Sequence, residues 1–275
     1  MLLDREEYIE QAYFFQTLRE RMQQNMSTQD LLTAAKQEIL ATTQLPYAID
    51  FMAGEMRLTG GFATAMARLP HYFTSFQTYL VAEAEKAEGR FDFRIALDIL
   101  QREAEYRAKD PAVQGIFLFQ FEILCRNRLG YDRGLDAIAG DAVYNDQWRE
   151  WISILRRQVG LVDFCDMLYV RSALYGKSHD DDGGKAVLFG EKEGRIALAN
   201  RQKDPLYLFA ALQRHLGYPA VPRPSEEDAK RHLIPQLRAK VDRLEMRIKL
   251  LEEDVHGGIN LGRFYGPQGE QKKVE

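Results

Sequence analysis

Lys185, Lys192, Arg195, Arg201 and Lys203 stand among Gly183, Gly184, Gly190 and Gly194, a mixture of cations and glycines that suits an anion. Glycine lets backbone N–H groups come close to a phosphate, and neighbouring cations add charge. Lys185, Lys192, Arg195 and Arg201 are therefore the candidate anion-binding residues, and a phosphorylated small molecule is the ligand class they would take. The competing reading is a solvated, turn-rich surface loop, because glycine is also the residue of turns. No GxxxxGK[ST] pattern is present and no GxGxxG follows a strand, while Glu191 and Glu193 intrude on the positive field.

Other residue types capable of chemistry are less well arranged. Asp180, Asp181 and Asp182 precede two glycines, but a calcium loop needs alternating ligands and a closing glutamate, so a solvated acidic loop is expected. Asp163 and Asp166 share a helical face near Arg156, Arg157 and Arg171. Buried, one of them would serve as a general acid or base, but ion pairing is the commoner fate of such carboxylates. His71, His179, His215, His232 and His256 are scattered, and Glu253 with His256 makes a single ExxH where a di-metal bundle needs two. Cys125 and Cys165 sit in apolar stretches at helical spacing and read as buried thiols. The sequence thus nominates no catalytic residue, no metal ligand and no cofactor.

The most regular pattern is Ile234, Leu237, Val241, Leu244, Ile248, Leu251 and Val255, spaced 3-4-3-4-3-4. Ile234, Val241, Ile248 and Val255 take a positions, and Leu237, Leu244 and Leu251 take d. Branched residues at a with leucine at d favour a parallel two-stranded coil. Lys240 and Arg247 at g would meet Glu245 and Glu252 at e of a second chain, and both pairs attract. The helix is short, about 33 Å at 1.5 Å per residue, and Pro235 weakens its first turn. These seven residues are the expected dimerisation set, with the chain itself (a parallel homodimer) or a partner helix as occupant. Docking on the chain's own body is the alternative.

Helical signals fill the segments that must position these groups. Asp4 precedes Tyr8, Ile9, Ala12, Phe15 and Leu18; Ser27 and Asp30 resemble a capping box before Leu31, Leu32, Ala35 and Ile39. Pro46 suits the first turn of a helix ending at Gly60–Gly61, and Pro70 is read as opening another through Phe73, Phe76 and Leu80. A further helix is expected from about Phe91 to Ala108, with Pro111 starting the next. Residues 115–124 are apolar all round, so periodicity alone does not separate helix from strand; length and helical neighbours predict a buried central helix. Trp148, Trp151, Ile152 and Leu155 share one helical face, and Leu161, Phe164, Cys165, Leu168 and Ser172 form a second stripe.

The expected fold is mainly all-α, a multi-helix bundle or irregular α-array, with a glycine-rich connector and a C-terminal coiled-coil-like helix. Residues 1–175 read as a helical body. Residues 176–224 read as a Gly/Pro-rich connector with a short strand at 186–189 and a short helix near 205–216. Residues 225–256 read as the C-terminal amphipathic helix with heptads over 234–255, and 257–275 as a flexible tail.

The 275 residues carry 45% hydrophobic and 28% charged side chains, which argues against global disorder. A net charge of -4 speaks against nucleic acid as the main partner, because phosphate contact supplies most of that affinity. The start lacks a signal-peptide pattern and no apolar run is long enough to span a bilayer, so no membrane partner and a cytoplasmic setting are expected. The functional expectation is a non-enzymatic helical scaffold or adaptor acting through the heptad helix. The alternative is a helical sensor or enzyme holding an anionic ligand near residues 185–203.

Overall fold

The computed structural model describes residues 2–22, 28–86, 91–178 and 186–223, together with Glu245 and Ile248. Two compact units divide the chain, Met1–Arg223 and Pro224–Glu275. Among the described residues of the first, thirteen helices follow one another: α1 (Arg5–Arg21), α2 (Thr28–Lys36), α3 (Leu45–Thr59), α4 (Phe62–Ala67), α5 (Ser75–Ala84), α6 (Phe93–Arg107), α7 (Val113–Arg126), α8 (Tyr131–Ala139), α9 (Asp146–Gln158), α10 (Phe164–Val170), α11 (Ala173–Ser178), α12 (Glu191–Ala199) and α13 (Pro205–Leu216). The fold is all-α, and among the described residues extended pairing is limited to isolated bridges, Val159 with Val162 and Ser172 with Phe189.

Residues 115–124 are buried along their whole length inside α7, as their length and helical neighbours predict. Because α7 carries large apolar side chains right round the helix, with Gln120 and Glu122 buried among them, neighbouring segments pack around it. Phe117 meets Tyr144, Trp148 and Trp151 from the α9 side and Phe189 from the chain beyond α11. Phe121 meets Phe164 of α10 and Phe209 of α13. Each such fully buried side chain stabilises the fold by about 1.5–3 kcal/mol. Close approach is built in at Gly115, where an added Cβ would lie 2.1 Å from the Tyr106 hydroxyl. Tyr106 can therefore cross the start of α7 and donate to the Leu216 carbonyl at the end of α13, 3.0 Å away.

Helix ends follow local chemistry where it is strong. α3 starts with Pro46 in its first turn and stops at Gly60 in the left-handed region (φ 73°). Asn145 and Asp204 cap α9 and α13 through side-chain oxygens.

Several expectations need correction. Asp4 occupies the N-cap of α1 without a side-chain hydrogen bond, and Ile9 faces solvent while Phe14 takes its place in the core. Pro70 does not open α5; Thr74 does, in a reciprocal capping box with Gln77. Leu161 lies in the turn before α10 and is exposed, because the helical stripe begins only at Phe164. The strand expected at 186–189 is a single bridge, with Phe189 N–H and Ala173 N–H tying it to the end of α10 and the start of α11.

The glycine-rich stretch holds parts of two helices. Gly176 lies within α11 and Gly194 within α12. Gly194 is required by packing, since an added Cβ would sit 2.3 Å from Ser172 Oγ. Ser27, Lys185, the acidic run at 180–182, the prolines from Pro224 onward, the tail 257–275 and all heptad residues but Ile248 lie outside the described residues.

Candidate functional site

Two of the cations nominated for an anion, Arg195 and Arg201, pair with carboxylates. Glu191, at the start of α12, accepts from both Lys177 and Arg195. These hydrogen bonds hold its carboxyl below the usual range. Arg201 pairs with Asp166 and stacks its guanidinium 5.2 Å from the Tyr169 ring centre. Lys192 is exposed on α12. Arg195 and Arg201 therefore serve two separate ion pairs instead of converging on one point.

Asp163 and Asp166 likewise have structural partners. Asp163 caps α10 by accepting from Cys165 N–H at 2.9 Å, and it accepts Gln202 N–H at 3.0 Å. Burial opposes its charge, but the two backbone donors outweigh it and its carboxyl lies below its ordinary value. Arg156 pairs with Asp132 and Asp136, and Arg171 donates to the Ala186 carbonyl. His215 Nε2 sits 3.1 Å from Glu193 Oε1, joining α13 to α12. Both cysteines are unpaired, with Cys165 donating to the Asn200 carbonyl. Burial pushes the Cys125 thiol up to about 11 and the Cys165 thiol to about 12. At neutral pH neither is a ready nucleophile.

The most enclosed polar cluster joins Glu103 and Arg107 of α6, Gln120 of α7, Asp141 and Tyr144. Arg107 pairs with both Glu103 and Asp141, and solvent reaches none of the three. Gln120 donates to Glu103 Oε1 at 2.8 Å and accepts the Tyr144 hydroxyl at 2.7 Å. Burial alone would depress the Arg107 guanidinium; the two carboxylates more than offset it and hold the charge firmly. Burial raises the Tyr144 phenol well above its usual value, and Asp141 adds to that. A guanidinium locked between two carboxylates has no position left for a substrate. Its effect is to pin α6, α7 and the α8–α9 turn together. Glu103 and Arg107 are visible in the sequence as an i,i+4 pair; their burial by Asp141 has no local signal.

A second buried set hangs on α1. Glu7 accepts the Tyr72 hydroxyl at 2.9 Å and Gln44 N–H at 2.6 Å, Glu10 accepts Leu40 N–H at 3.0 Å, and Gln11 accepts from Gln77. These carboxylates satisfy loop and helix-start donors. Between α1 and α6 lies a shallow groove of about 420 Å³, lined by Ile9, Ala12, Tyr13 and Ala108 with Arg5, Glu105 and Lys109. Among the described residues no group of three or more His, Cys, Asp or Glu side chains is placed to hold a metal ion. No described helix is long and apolar enough to cross a membrane.

What the surface does offer is apolar side chains in helical register. On α3, Tyr47 is 76% exposed, Phe51 40% and Leu58 81%. The opposite face of the same helix buries Leu45, Ile49, Met52 and Met56. Of the heptad, Glu245 and Ile248 are described; both are helical, and the a-position Ile248 is 54% exposed. No protein-family model, no curated protein and no solved structure matches this chain.

Proposed function

We propose that the chain is a non-enzymatic helical scaffold or adaptor that self-associates as a parallel pair, or takes a partner helix, through the heptad of residues 234–255. The observation that carries this reading is Ile248. It is an a-position side chain of the 3-4 pattern, sits in helical backbone, and leaves about half its surface to water. An apolar seam residue so placed is stabilised by burying it against a second helix. The g-to-e′ pairs Lys240–Glu245′ and Arg247–Glu252′ supply register for a parallel arrangement. Within the helical body the nominated cations Arg195 and Arg201 are matched by Glu191 and Asp166, which supports a structural role for them over capture of a phosphorylated ligand.

The test is light scattering of the full chain over a dilution series, beside a Leu244→Lys, Leu251→Lys variant. Two charges in the seam are expected to lower the average mass or shift dissociation to higher concentration. An unchanged dissociation curve contradicts the proposal.

A further inference from the structure

Gly54 lies in the middle of α3, and its own fold gives no reason for it. A glycine in a helix interior costs about 1 kcal/mol relative to alanine, so it persists where something needs the missing Cβ. Gly115, Gly134 and Gly194 have that reason within the chain: an added Cβ would lie 2.1 Å from Tyr106, 2.6 Å from Leu124 and 2.3 Å from Ser172. At Gly54 an added Cβ meets nothing within 4 Å. The gap opens onto solvent.

The surroundings of that gap form a docking face. Tyr47, Phe51, Gly54 and Leu58 follow spacings of four, three and four, so they fall within about 60° of one another around the helix. Three are large exposed hydrophobes, with the glycine between Phe51 and Leu58 allowing another backbone to come close. Along one edge of this stripe stand Asp50 and Arg57, both exposed. Lys36 contacts Asp50 Oδ2 at 2.6 Å with the carboxylate still open to solvent, and Arg57 makes no ion pair among the described residues.

The position of these charges selects the occupant. When two copies of α3 pack antiparallel about a two-fold axis near Gly54, the same edge of each helix lies on the same side of the interface. Residues equally distant from the axis then face each other, so Asp50 of one copy meets Arg57 of the other, twice. A parallel two-fold pairing would put the Asp50–Arg57 edges on opposite sides of the interface, so these charges would not meet. Glu55, on the other edge, also pairs within the chain, with Arg68, but its side chain is only 11% exposed, whereas that of Asp50 stays 57% exposed beside Lys36. We infer that the exposed face of α3 is an isologous self-association surface, two copies crossing antiparallel at Gly54 with reciprocal Asp50–Arg57 pairs. This surface is separate from the heptad and does not depend on it.

Cross-linking the full chain tests it. Gly54→Cys copies should form a disulfide-linked dimer under mild oxidation several-fold faster than Leu161→Cys copies, whose position is also exposed but outside the α3 face. Adding Asp50→Arg or Arg57→Asp to Gly54→Cys should each abolish the link, since each sets like charges opposite one another. Mixing the two charge variants should restore it, because both cross pairs become attractive again. Circular dichroism of each variant, all altered only at exposed positions, checks that the fold persists. Linking at Gly54 no faster than at Leu161, or linking indifferent to the charge changes, overturns the proposal, and so does a stripe that takes a different protein and leaves Gly54→Cys unlinked. Neither arm touches residues 234–255, so the outcome here and the outcome for the heptad are independent.

Discussion

Arg107 and Asp141, 34 residues apart in sequence, are joined by an ion pair that solvent does not reach. Glu103 completes a triad with one cation and two carboxylates, and Gln120 and Tyr144 extend it by hydrogen bonds. Removing one partner of a buried pair is costly because the other charge stays behind without compensation. Arg107→Met should therefore destabilise the fold by about 3–5 kcal/mol, measured by urea unfolding. A loss below about 1 kcal/mol would mean that the cluster holds nothing together.

Asp163 links the start of α10 to Gln202 through two backbone donors, and its carboxyl sits below its ordinary value of 3.8. A depressed carboxyl stabilises the fold above its unfolded pKa, and that stabilisation fades as pH falls through the folded value. Asp163→Ala should cost about 1–2 kcal/mol at neutral pH by loss of the cap. The gap between wild type and variant should stay level down to about pH 4 and narrow below it. A gap that widens on acidification would contradict this assignment.

The two thiols offer a readout of the intact core. With Cys125 pushed to about 11 and Cys165 to about 12 by burial, neither carries appreciable thiolate at neutral pH. A thiol-reactive dye should label native protein slowly and unfolded protein at both sites quickly. Rapid native labelling of Cys165 would show that the contact between α10 and the Asn200 carbonyl opens readily.

Gly54→Ala should have two effects of opposite sign. Helix propensity predicts a gain of about 0.5–1 kcal/mol for the isolated fold, and no atom of the chain stands in the way. The added methyl should at the same time weaken pairing of α3 with a second copy. Thermal unfolding at low concentration reads the first effect and sedimentation at high concentration the second. A variant more stable and equally associated would place the contact elsewhere.

Much of the helical body was legible because its signals are local. Pro46 and Gly60 bracket α3, and the Trp148, Trp151, Ile152 and Leu155 face is buried as spaced. The aromatic run of α7 is a helix because its neighbours wrap it, a tertiary fact that its own pattern only allowed. Thr74 and Gln77 carried a capping signal that Pro70 obscured. Glycines misled at α12, since Gly194 answers to Ser172, a residue distant in sequence. The α3 stripe was written plainly as Tyr47, Phe51 and Leu58, but the helix is apolar on both faces and sequence alone does not say which one the core takes. Asp163 and Asp166 read as a pair on one helical face, but Asp163 is the N-cap of α10, a local contact with Cys165; that Asp163 also takes Gln202 N–H and Asp166 holds Arg201 depends on the return of the chain after α12.

The claim that matters most is that residues 234–255 join two copies side by side in parallel. Leu237 distinguishes the arrangements, because a parallel seam sets this d residue against its own counterpart and an antiparallel one sets it against an a residue of the other chain, Ile248 or Val255. Disulfide trapping of full-length Leu237→Cys should yield a covalent dimer from that variant alone. A chain that stays monomeric, or that links only when Leu237→Cys is mixed with Ile248→Cys or Val255→Cys, would contradict it.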